Sequence, residues 1–198
     1  MTHGMGGANI LSAWVDVLWI VALAAVLVLH CASLARTDVE HRWLHLAHAA
    51  MIVGMISMYV VMANGAYLVS AEVWTRLHLL LATAIVLWML ACGVRERPFS
   101  FLWWPALAQQ VAMIYMWTAA SDWVVWLTDA FAVYFVVEAV AWLLGSCTEA
   151  RPRKVRADGP EARSTVMLRR DGAAIGKIGM ATMAASMGYM LVGMQLLM

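Results

Sequence analysis

The chain has 198 residues, 64% of them hydrophobic and 13% charged, with a mean hydropathy of +0.78. That balance excludes an ordinary soluble globular domain. A formal net charge of +1 leaves no basic excess for binding nucleic acid, so none is expected as a partner. No nucleophile elbow, zinc-peptidase motif or phosphate loop is present, and no enzymatic activity is expected.

Six apolar runs, at roughly 10–35, 43–69, 73–94, 99–120, 123–145 and 173–197, are long enough to cross a bilayer, which takes about 20 residues each. The chain therefore reads as an all-α polytopic membrane protein, one domain of six transmembrane helices over 1–198. The first run is expected to stay as a helix rather than act as a cleaved leader, because no Lys or Arg precedes it. Of the 13 Lys and Arg, all but Arg76 fall between spans 1 and 2, 3 and 4, or 5 and 6, with Lys177 counted there although it lies in the first turns of span 6. Cytoplasmic loops carry such an excess, so both termini are expected outside the cell inner (plasma) membrane. Cys31, Cys92 and Cys147 then lie near the cytosolic face, where thiols stay reduced. Residues 146–172, rich in Arg, Pro and Gly, read as a disordered basic cytosolic loop.

Taken in order, the amino terminus offers His3, which together with a free amine can wrap Cu(II) in a square plane; otherwise it is a tail. Span 1 carries Asp16 near its outer end and His30 near its inner end. Ionisable groups inside a span are costly and are candidates for function. Span 2 holds the most ordered pattern: His41, His45, His48, Met51, Met55, Met58 and Met62 recur at spacings of three and four, forming one stripe of a helix. Because spans 1 and 2 are antiparallel neighbours, His30 and His48 can face each other. Span 3 brings His78, the one spanning histidine of the outer half. Span 4 contains Pro105, expected to free a carbonyl and bend the helix, followed by Gln109 and Gln110, polar side chains of the kind that join helices. Span 5 opens at Asp122, a plausible N-cap, and buries Glu138, a carboxylate that an imidazolium would suit as partner. Span 6 closes the chain with a second sulfur stripe, Met180, Met183, Met187, Met190, Met194 and Met198.

Spans 2, 4 and 6 run in the same direction, and each holds a Met-x-x-Met pair: Met55 and Met58, Met113 and Met116, Met187 and Met190. The pairs begin about twelve to fourteen residues in from the inner end, close to the bilayer midplane. Thioethers are soft ligands that select Cu(I), and imidazoles suit several transition metals. Methionine is equally a flexible filler of apolar interiors, on which reading both stripes are simply core.

Three segments, His48-x-x-Met51-x-x-x-Met55-x-x-Met58, Ala112 to Met116, and Met183-x-x-x-Met187-x-Tyr189-Met190, resemble motifs of an actinobacterial multi-helix integral membrane family of unknown function. The resemblance spans most of the chain and implies a membrane helix bundle; it supplies no activity. Where that family often has His at the start of the fourth helix, this chain has Gln109 and Gln110, so a ligand there does not carry over.

Three functional readings follow. The first is Cu(I) handling, with His45, His48, Met51, Met55, Met58, Met62, Met113, Met116, Met183, Met187 and Met190 as ligands and Glu138 behind them. The second is a single haem held by His30 and His48. In the third, the protein is a structural or assembly subunit whose Met and Gly faces pack on partner membrane proteins, with no metal.

Overall fold

The computed structural model describes residues 9–34, 39–64, 67–94, 103–118, 122–145 and 160–196. All the regular structure among them is helical: α1 (Asn9–Leu34), α2 (Val39–Asn64), α3 (Ala71–Val94), α4 (Trp103–Met116), α5 (Val125–Leu143) and α6 (Pro160–Leu196). Four segments, Trp14–Leu34, Arg42–Met62, Ala71–Val94 and Val125–Leu143, are long and apolar enough to cross a membrane. The chain is thus an all-helical membrane protein. The amino-terminal tail with His3 and the thiol of Cys147 lie outside the described residues.

Burial explains why these helices need a bilayer. On α3 the inward stripe is Trp74, His78, Ala82, Ile85 and Cys92, while Leu79, Leu80, Leu87 and Leu90 stand exposed on the other side. On α5 the inward stripe is Thr128, Ala132, Phe135, Glu138, Ala139 and Trp142, with Val133, Val136, Val137 and Leu143 exposed. Helices apolar all round, with one packed stripe and an exposed aliphatic remainder, have lipid as the medium that covers the remainder. Hydroxyls on these helices are satisfied locally: Ser57 donates to the Val53 carbonyl at 2.8 Å, Thr75 to Ala71 at 2.9 Å and Thr182 to Ile178 at 2.8 Å. Such back-bonding lets a polar side chain sit on a membrane helix without a distant partner.

The helix ends correct several expectations. Pro105 is the third residue of α4, where an N–H has no partner within the helix in any case, so it bends no span. At 14 residues α4 is shorter than the apolar run 99–120; it ends where the Thr118 hydroxyl takes the Tyr115 carbonyl at 2.6 Å. The N-cap of α5 is Val124, two residues past Asp122, and it makes no side-chain cap hydrogen bond. Ser70 does cap α3, receiving the Val73 N–H on its hydroxyl at 3.4 Å. Residues 160–172, expected to be part of a disordered loop, are helical: α6 starts at Pro160, where a proline needs no N–H and has the φ a helix wants. The loop's remaining residues, 146–159, lie outside the described ones. α5 stops at Gly145, whose φ of +74° closes the helix in the left-handed conformation that residues with a Cβ resist.

The chain divides into two compact units. The first comprises Met1–Arg97 with Ala106–Trp123, and the second Pro98–Pro105 with Val124–Met198. In the first, α1 packs along α2, and α3 and the body of α4 meet α2 around Gly54. In the second, α5 packs extensively on α6.

Candidate functional site

The first unit gathers most of the residues that the sequence marks. Along α2, Met51, Met55 and Met58 are buried on the stripe that spacing predicts, and His48 is buried with them at 3% exposure. His45 and Met62 are half-buried. Met113 and Met116 of α4 are buried in the same unit. Met183, Met187 and Met190, also buried, belong to α6 of the second unit. Glu138 belongs to the second unit as well, where it accepts the Trp142 indole N–H at 3.3 Å.

At the α1–α2 contact three imidazoles cluster. His30 lies parallel to His48, ring centroids 5.3 Å apart and planes 10° apart, as the antiparallel pairing implies. His30 Nδ1 is also 2.9 Å from His45 Nδ1, so one of these rings donates to the other.

Proton positions on two buried imidazoles follow from their partners. His48 Nδ1 lies 2.7 Å from the Leu44 carbonyl, which can only accept, so Nδ1 carries the hydrogen. His78 Nδ1 lies 2.7 Å from Gln110 Oε1, and the Gln110 amide nitrogen donates to the Ala47 carbonyl at 3.3 Å. The Ala47 carbonyl fixes which end of the amide faces the ring: the nitrogen must point to Ala47 and the oxygen to His78. The Nε2 atoms of His48 and His78 are both buried without a hydrogen-bond partner among the described residues. A second proton on either would bury a cation with no acceptor, so each Nε2 holds a lone pair.

His78 did not stand out in the sequence beyond its depth, and Gln110 was read as helix glue. Gln110 does join helices, linking α4 to α3 through His78 and to α2 through Ala47. Its second effect, setting the tautomer of a buried imidazole, was not readable from spacing. Trp74, one turn before His78, lies against the ring at 6.0 Å and 23°, and Trp117 lies against Trp74 at 5.9 Å and 14°. The histidine is thus held by a stack and by an amide.

Among the described residues no group of three or more His, Cys, Asp or Glu is arranged to hold a metal ion. The donors the first unit offers its interior are thioethers and single imidazole lone pairs, a soft and low-coordinate set. Compared with family models, curated proteins and solved structures, the chain matches none, and its functional reading rests on the residues themselves.

Proposed function

We propose that this protein is a six-span protein of the cell inner (plasma) membrane, with both termini outside, that binds Cu(I) through its buried methionine and histidine faces. One observation carries the reading. Met51, Met55, Met58, Met113 and Met116 are all buried in one unit that also holds two imidazoles with unpartnered Nε2 lone pairs. An interior built only to be packed has no need of unpaired nitrogen acceptors, each of which costs free energy in an apolar medium. Soft donors of this kind select Cu(I) over Mg(II), Ca(II) and other ions that want oxygen.

The metal experiment uses the whole chain in detergent under reducing conditions, titrated with Cu(I) against a competing chelator, with copper and iron counted per chain. About one or more copper ions withheld from the chelator is the expected result. The double variant Met55→Leu with Met187→Leu keeps the side-chain volume and removes two thioethers, and should lower the stoichiometry or affinity. Unchanged binding would show that neither thioether is a ligand. A metal-free chain that copurifies with other membrane proteins would return both stripes to packing and favour an assembly subunit. Iron with a haem spectrum would overturn the copper reading in the other direction.

The topology has its own test. A reporter that is active only outside the cytosol should be active when fused after Met198 and inactive when inserted within residues 146–159. The reverse pattern would invert the protein, and activity at neither or both positions would change the number of spans.

A further inference from the structure

His78 stands apart from the ligands that sequence spacing suggests, yet its surroundings are the most specific in the first unit. α3 carries it to full burial, Trp74 lies against its ring, and Gln110 accepts its Nδ1 hydrogen at 2.7 Å. An outer partner that holds one nitrogen as N–H and leaves the other as a directed lone pair is the arrangement by which proteins prepare an imidazole to bind metal.

That lone pair lies against α2 at Gly54. A Cβ placed on Gly54 would stand 2.9 Å from His78 Nε2 and 2.8 Å from Met113 Cε. Both distances are shorter than a carbon atom tolerates, so the ring nitrogen and the end of the thioether chain pack closely on the same side of this glycine and lie within reach of each other. Met113 has three rotatable side-chain bonds and can turn its sulfur toward the ring nitrogen without moving the backbone. His78 is held in place. A fixed nitrogen beside an adjustable sulfur suits a cation that accepts few ligands.

We propose that His78 Nε2 and the Met113 thioether form a binding site for a soft monovalent cation, Cu(I), against Gly54, with Gln110 positioning the imidazole. The inference rests on the Cu(I) reading above and names a ligand outside the α2 stripe. A divalent ion that requires a closed shell of imidazole, thiolate or carboxylate has no such shell among the described residues.

The test uses the full chain in detergent with Ag(I) as a probe that does not change oxidation state, followed by Cu(I) against a competing chelator. In protein labelled with ¹⁵N-histidine, the free chain should show His78 protonated at Nδ1 and unprotonated at Nε2. Adding Ag(I) should shift the Nε2 resonance and leave the Nδ1 hydrogen in place. Met113→Leu removes the sulfur at similar volume and should weaken Cu(I) binding by about tenfold or more; His78→Ala should weaken it further. If His78→Ala does not fold, the wild-type spectra and Met113→Leu decide the matter. Wild-type Cu(I) binding with a silent His78 resonance, unaltered in Met113→Leu, overturns this site and leaves the broader copper reading standing on the other methionines. No binding of either ion by the wild-type chain overturns both.

Discussion

Gly54→Ala should destabilise the first unit by about 1–3 kcal/mol, the usual cost of forcing a methylene-sized group into a packed interior. The two atoms in its way respond differently. Met113 Cε is the end of a flexible chain and can swing aside at little cost. His78 Nε2 belongs to a rigid ring held by Gln110 and Trp74, so moving it loosens a buried hydrogen bond and a ring contact. Alanine also recovers roughly 0.5–1 kcal/mol of helix propensity relative to glycine, which offsets part of the loss. Gly188→Ala on α6 is the control, because its added Cβ would meet Phe135, Ala132 and Val136 at ordinary contact distances of 3.6 to 3.9 Å. There the propensity gain is unopposed, and the substitution should be neutral or mildly stabilising. Unfolding of both variants in mixed detergent measures the difference. Adding His78→Ala to Gly54→Ala should then cost less than His78→Ala alone, since the clash belongs to the pair. Equal effects of the two glycine substitutions would mean that α2, α3 and α4 do not converge at Gly54.

The first three helices and the fifth were legible because hydrophobic length is a direct consequence of the bilayer's thickness. The spacing of Met51, Met55 and Met58 placed them on one buried face, and the antiparallel neighbours α1 and α2 brought His30 to His48. Helix ends were less legible, since they turn on single contacts. Asp122 has the chemistry of a cap, yet the N-cap position of α5 is Val124, and Pro105 lost its expected bend because α4 begins only two residues before it. α6 is the instructive miss. The composition of residues 146–172 suggested disorder, yet Pro160 followed by Glu161, Ala162 and Arg163 is a helix start signal that a charge-based reading passes over.

The candidate site was half legible. Its sulfur came from a periodic stripe, whereas its best-prepared nitrogen depends on a residue 32 positions away. No local pattern connects His78 to Gln110, and the role of Gly54 appears only when three helices are brought together. In this chain Gln110 sits behind a histidine of a different helix.

Gln110→Leu should therefore cost more than the loss of one polar contact. It strips the acceptor from the buried His78 Nδ1–H and a donor from the Ala47 carbonyl. The carbonyl still sits within α2 and has its helical partner to fall back on, so the greater loss is at the imidazole. Leaving one buried donor unsatisfied costs about 1–3 kcal/mol, and side-chain hydrogen bonds between membrane helices average nearer 0.6 kcal/mol; a loss of about 1 kcal/mol or somewhat more is expected. Replacing both partners by apolar residues removes the unsatisfied donor, so Gln110→Leu with His78→Leu should recover part of the stability lost by Gln110→Leu alone. The single variant also frees the ring's proton to occupy either nitrogen. Its ¹⁵N spectrum should show Nε2 partly protonated, and Cu(I) affinity should fall by about 10- to 100-fold even though neither proposed ligand has changed. An unshifted tautomer with undiminished affinity would show that Gln110 joins helices and does nothing more. A shifted tautomer with weaker binding separates positioning from packing, because a merely structural glutamine has no reason to govern where a histidine keeps its proton.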